Sequence, residues 1–159
     1  MRKVVALTIA LVAVSSTMVQ AAIPGGGVVG DENISVVYDP ADGSMSIDAA
    51  GKMVSTFELV SDTGVLTGAT PALVAPPFDV HTPVKFFILK TDGIGDTDLG
   101  QLATAGLTEE MLMGDLTLNG SILPSGNLGN ADLAYVPEPS SLGLASLALL
   151  GLAGLRRRS

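Results

Sequence analysis

The chain has no cysteine, no tryptophan and a single histidine, and its 8 lysines and arginines face 16 aspartates and glutamates. Without cysteine there is no disulfide framework, so an apolar core must carry the stability. One histidine and no thiolate leave zinc only carboxylates as further ligands, a poor donor set for that metal. Aromatic residues make up 4% of the chain, which is thin for a carbohydrate platform. Tyr38 and Tyr135 are the two tyrosines, and Phe57, Phe78, Phe86 and Phe87 fall mostly where a core needs them. No Gly-x-Ser-x-Gly stretch is present, and His81 in Asp79-Val80-His81-Thr82-Pro83 has no nucleophile signature beside it. It reads as a turn or surface histidine in preference to a general base. These shortages point away from an enzyme; a hydrolase built on scattered carboxylates is the weakest reading.

Positive charge is not only scarce but placed at the ends. Arg2, Lys3, Arg156, Arg157 and Arg158 lie outside the middle of the chain, which keeps Lys52, Lys85 and Lys90. Of the 16 acidic residues only Glu138 lies outside it, so the middle carries 3 minus 15, or -12. A surface that acidic repels phosphate backbones and excludes nucleic acid as a partner.

Long hydrophobic runs are confined to the ends as well. Met1-Arg2-Lys3 is a basic start, residues 4–14 are apolar, and Val19-Gln20-Ala21 offers small or modest residues at a cleavage position. That order is a secretory signal peptide over residues 1–21, cut after Ala21, with the Sec machinery and signal peptidase as partners. At the other end, residues 140–155 hold no charge and are dominated by leucine and alanine. As a helix they would span ~24 Å, a little short of the ~30 Å hydrocarbon core. Arg156, Arg157 and Arg158 can snorkel to anionic headgroups and stay cytoplasmic, which places the preceding chain on the exported side.

Val136-Pro137-Glu138-Pro139, followed by two serines, a Leu/Ala/Gly run and Arg-Arg-Arg-Ser, resembles the PEP-CTERM sorting signal of Gram-negative bacteria. The resemblance covers residues 136–159 and implies handling, not an activity. It implies that Val136, Pro137, Glu138 and Pro139 are read by a membrane-embedded exosortase-like protease. The helix and the arginines would act as a transient inner-membrane anchor before the protein reaches the cell surface or extracellular matrix. A link to biofilm and exopolysaccharide, the latter as a partner, is implied in the same way. The prolines fit this role physically, since they cannot continue a helix and leave the preceding chain extended for a protease.

Between the ends the pattern is β. Residues 22–32, with Gly25-Gly26-Gly27, read as a flexible lead-in, and residues 33–135 as one small β domain. Strands are expected at 33–38 and 43–49, joined by the turn Asp39-Pro40-Ala41-Asp42-Gly43, then at 53–61, 84–90, 116–123 and 131–136. Asn119-Gly120 inside the fifth of these is either a hairpin turn or a bulge. Residues 108–113 read as a short helix with Thr108 as N-cap, Glu109 and Glu110 in its first turn, and Gly114 at its end. The prolines at 71, 76, 77 and 83 mark an irregular connection or edge. Short strands with little helix predict a small β-sandwich or a jelly-roll-like domain.

One stretch could take a ligand. Asp92, Asp96 and Asp98, spaced by glycines, could offer oxygen ligands to calcium, although their order is not that of an EF-hand loop. Aspartate and glycine also simply make good turns. The sequence therefore predicts an exported structural or interaction protein of the cell surface or matrix. A calcium-dependent or carbohydrate-binding matrix module is the alternative.

Overall fold

The computed structural model describes residues 22–136; the expected signal peptide at 1–21 and the tail from residue 137 onward lie outside the described residues. Eight strands and one short helix follow in order: β1 Ser35–Tyr38, β2 Ser44–Asp48, β3 Met53–Ser61, β4 Val80–Thr82, β5 Lys85–Ile94, β6 Thr97–Gln101, α1 Glu109–Asp115, β7 Leu116–Leu123 and β8 Asp132–Tyr135. They form two four-stranded sheets, ordered β6-β2-β1-β8 and β4-β5-β3-β7. The protein is mainly β, as the alternation of apolar and polar residues predicts.

The hairpin β1–β2 is antiparallel and pairs Val36 with Ile47 and Tyr38 with Met45. Its turn is held by its own aspartates, with the Ala41 amide donating to Asp39 at 2.9 Å and the Ser44 amide to Asp42 at 2.8 Å. β8 returns parallel to β1, pairing Leu133 with Val36 and Tyr135 with Tyr38. In the second sheet β3 lies between β5 and β7, antiparallel to both.

Period-2 alternation sends one side of each sheet into a shared core. Val36, Tyr38, Met45, Ile47 and Leu133 enter it from one sheet, and Phe57, Leu59, Phe86, Ile88 and Leu118 from the other. Phe57 meets Phe86 edge-on with ring centroids 6.1 Å apart. Tyr38 and Tyr135 lie 6.0 Å apart. The Tyr38 hydroxyl donates to the Thr104 carbonyl at 2.7 Å and accepts the Leu107 amide at 3.1 Å, so one buried group pins the loop that leads to α1.

Several elements differ from expectation. Asn119 and Gly120 make no turn; they sit inside β7 opposite Glu58 and Phe57. The bulge lies in β3, opposite Ser121 and Ile122, where the register shifts between Val54 and Thr56 against both neighbours. The 92–98 stretch is not a free loop either: β5 runs on to Ile94 and β6 begins at Thr97. β4 emerges next to Pro83, as a three-residue edge strand paired only with β5, where a proline costs little. Thr108 caps α1 by accepting the Met111 amide at 3.3 Å, while Gly114 stays inside the helix, which ends at Asp115. Residues 22–27, read as a flexible lead-in, pair with both sheets through Ala22 and Thr117 and through Gly25 and Leu133.

Candidate functional site

The histidine and its neighbour Asp79 do not act together. His81 lies on β4, where its ring stands edge-on to Phe86 at 5.9 Å. Its Nε2 meets the Leu66 carbonyl at 3.2 Å and its Nδ1 meets the Thr70 hydroxyl at 3.0 Å. A carbonyl only accepts, so Nε2 carries the proton. Asp79 is buried and turned elsewhere. One carboxylate oxygen accepts the Leu89 amide at 2.8 Å; the other accepts the Ala75 amide at 2.8 Å and the Lys90 ammonium at 2.5 Å. Burial alone would raise this carboxyl; the bonds from Lys90, Leu89 and Ala75, with the lysine charge, outweigh it and hold Asp79 below the usual carboxylate range. The network fastens the proline-rich loop to β5. Asp79 and Lys90 are too far apart in sequence for any local pattern to have linked them.

The three expected calcium ligands are not gathered. Asp92 is an exposed residue of β5. Asp96 and Asp98 line a depression of about 450 Å³ on the outer side of β2 and β6, and their acidic companion there is Asp48, not Asp92. Asp96 accepts the Ala49 amide at 2.9 Å just past β2, and Asp98 the Gly100 amide at 2.7 Å within β6, so both carboxylates already hold backbone. Among the described residues no group of three or more His, Cys, Asp or Glu side chains is arranged to hold a metal ion.

A second cavity, of about 430 Å³, opens beside α1 and is lined by Val65, Leu107, Met111, Leu112 and Asp115 among others. Asp115, buried at the end of α1, accepts the Ser61 hydroxyl at 2.5 Å and the Thr63 amide at 2.7 Å. Ser61 in turn accepts the Gly64 and Val65 amides at 2.8 and 2.9 Å. These four bonds shape the chain where it leaves β3. No sequence motif marked this pair, because its members stand on separate elements.

The aromatic side chains divide between core and surface. Phe57 and Phe86 are fully buried, whereas Phe78 is 72% exposed. Phe87 is on the outer side of β5 with the Lys85 ammonium 5.7 Å from its ring centroid, and Lys85 pairs with Glu58. Both tyrosines are committed to the 104–107 loop, the Tyr135 hydroxyl donating to the Leu107 carbonyl at 3.3 Å.

The described residues end at the start of the Pro-Glu-Pro stretch. Val136 follows β8 directly, and its amide donates to the Tyr38 carbonyl at 3.0 Å. The PEP-CTERM protein-sorting motif, as a family model, matches residues 136–158. The tail of this chain is a PEP-CTERM sorting motif. The motif therefore abuts the β domain with no spacer between them. A PEP-CTERM tail implies export and membrane-anchored sorting by exosortase-type machinery. Pro137, Glu138, Pro139, Arg156, Arg157 and Arg158 lie outside the described residues, as does Ala21. No described helix is long and apolar enough to cross a membrane. No curated protein and no solved structure matches the chain.

Proposed function

We propose that this is an exported structural or interaction protein of the cell surface or extracellular matrix, without enzyme activity, whose product is the β domain alone. A signal peptide ending at Ala21 carries it across the membrane. The PEP-CTERM tail then holds it there through its apolar segment and Arg156, Arg157 and Arg158, until an exosortase-like protease acts at Val136-Pro137-Glu138-Pro139. The observation that carries this reading is the sorting motif beginning at residue 136, one residue beyond β8. Two sheets around one core fit a small β-sandwich, a fold suited to display at a surface. The strong negative charge keeps such a domain soluble once released. Exopolysaccharide is the matrix partner this handling implies.

The test is replacement of Pro137, Glu138 and Pro139 by alanines in the native host. The wild type is expected outside the cell or on its surface, and the variant in the inner membrane. Equal release of both would sink the sorting reading.

One observation favours a carbohydrate-binding module as the second reading. Phe78 is largely exposed, two residues before Val80, which pairs with Phe87. Such a surface could lie against a sugar face. Retention of the wild type but not of Phe78→Ser on immobilised host polysaccharide would favour that reading.

A further inference from the structure

Residues 22–27 form a strap across the open edges of both sheets. β7 ends one sheet and β8 ends the other. Ala22 pairs antiparallel with Thr117, and the Ile23 amide donates to the Leu116 carbonyl at 3.2 Å. On the other sheet the Leu133 amide donates to the Pro24 carbonyl at 2.7 Å, and the Gly27 amide to the Leu133 carbonyl at 2.9 Å. Ile23 is 2% exposed, a core residue. The Gly26 amide donates to the Glu109 carboxylate of α1 at 2.9 Å.

The glycines serve closeness here. A Cβ on Gly25 would stand 2.4 Å from the Met113 sulfur and 2.7 Å from a Glu109 oxygen. One on Gly27 would stand 2.3 Å from an Asp132 oxygen and 3.0 Å from the Ala134 nitrogen. At Gly27 the strap fits only without a side chain, because a Cβ there would meet backbone as well as Asp132.

We propose that strap docking and cleavage after Ala21 exclude one another, so that the signal peptide is removed before the domain closes. The inference rests on the reading of residues 1–21 as a signal peptide. Proteases commonly take their substrates as extended strands, which requires the residues flanking the scissile bond to be free of other pairing. Here the first residue after the bond is paired with Thr117, and the second has its side chain in the core. A closed domain therefore yields to the peptidase only through local opening. The order of events is cut, then dock, and the docked strap covers the two sheet edges that would otherwise pair with other chains.

The experiment uses the uncut full chain in detergent micelles, incubated with purified signal peptidase. Three variants accompany the wild type: Gly27→Val, which sets a side chain against Asp132 and the Ala134 backbone nitrogen; Ile23→Ser, which loses its place in the core; and Glu109→Ala, which removes only the acceptor for Gly26. The native wild type is expected to be cut at least about tenfold more slowly than Gly27→Val and Ile23→Ser, in line with protection by a local closed state. Glu109→Ala is expected in between, with the near-ultraviolet dichroism of Tyr38 and Tyr135 unchanged, which separates strap release from unfolding. Equal rates for all four chains would overturn the proposal. A peptide of residues 15–30, too short to fold, reports separately on the signal-peptide reading. If it too stays uncut after Ala21, that reading fails and takes the proposal with it.

Discussion

The ammonium of Lys90 stands 2.5 Å from the buried carboxylate of Asp79 and also donates to the Leu73 carbonyl at 2.7 Å. With the Ala75 and Leu89 amides on the same carboxylate, this one aspartate joins the 71–79 loop to β5. A charge placed out of water survives because three donors, one of them an ammonium, converge on it.

Asp79→Asn is therefore expected to lower stability at neutral pH by about 2 kcal/mol, since it strands a lysine and weakens two amide bonds. The pH dependence has a definite sign. A carboxyl held below its ordinary value in the fold takes up fewer protons there than in the unfolded chain. Its contribution is complete above the unfolded carboxylate value near pH ~4 and is lost as pH falls through the lower folded value. Urea midpoints measured from neutral to strongly acid pH should fall less steeply on the acid side in Asp79→Asn than in the wild type. Parallel acid limbs would contradict the assignment.

Among the described glycines, Gly68 lies closest against neighbouring backbone. A Cβ there would lie 1.6 Å from the Gln101 carbonyl oxygen, and the Gly68 and Ala69 amides bond the Leu102 and Gln101 carbonyls at 3.0 Å. The methyl has nowhere to go because both partners are backbone. Gly68→Ala is expected to cost at least about 2 kcal/mol, or to shift the loop away from β6. Thermal unfolding decides it: a Tm within a degree of the wild type would show that the loop does not pack as described.

Much of this architecture was legible in the sequence, for a physical reason. Met45 and Ile47 alternate with Ser44, Ser46 and Asp48, and that period of 2 is read without knowing the partner strand. β3 matched its expected span, and Thr108 capped α1 as the Thr-Glu-Glu pattern predicted. What failed were features fixed by distant partners. β6 is polar and glycine-bearing, and it becomes a strand only because β2 offers it a ladder. Gly25-Gly26-Gly27 reads as slack locally, yet Met113, Glu109 and Asp132 determine its course. The same holds for the aspartates: clustering along the chain put Asp92 with Asp96 and Asp98, whereas folding put Asp48 there. The sorting motif was legible because its meaning lies in the order of its segments, not in tertiary contacts.

That exchange of partners leads to a result for calcium. Asp96 and Asp98 each spend an oxygen on a backbone amide, and Asp92 is not beside them in the depression. Millimolar calcium is expected to move the thermal midpoint by less than about 1 °C, the shift of a weak or absent site. Asp96→Asn should then respond to calcium as the wild type does. A calcium-dependent rise that is lost in Asp96→Asn would establish the site and favour the calcium-dependent matrix module.

The central claim is that the exported product is the β domain, trimmed at both ends. The most direct measurement is the intact mass of the protein from membrane and extracellular fractions of the native host. The account predicts an extracellular species that begins at Ala22, ends around Pro137-Glu138-Pro139 and lacks Arg156, Arg157 and Arg158. A single species ending at Ser159 and confined to membranes would contradict it, and would make the tail a permanent anchor.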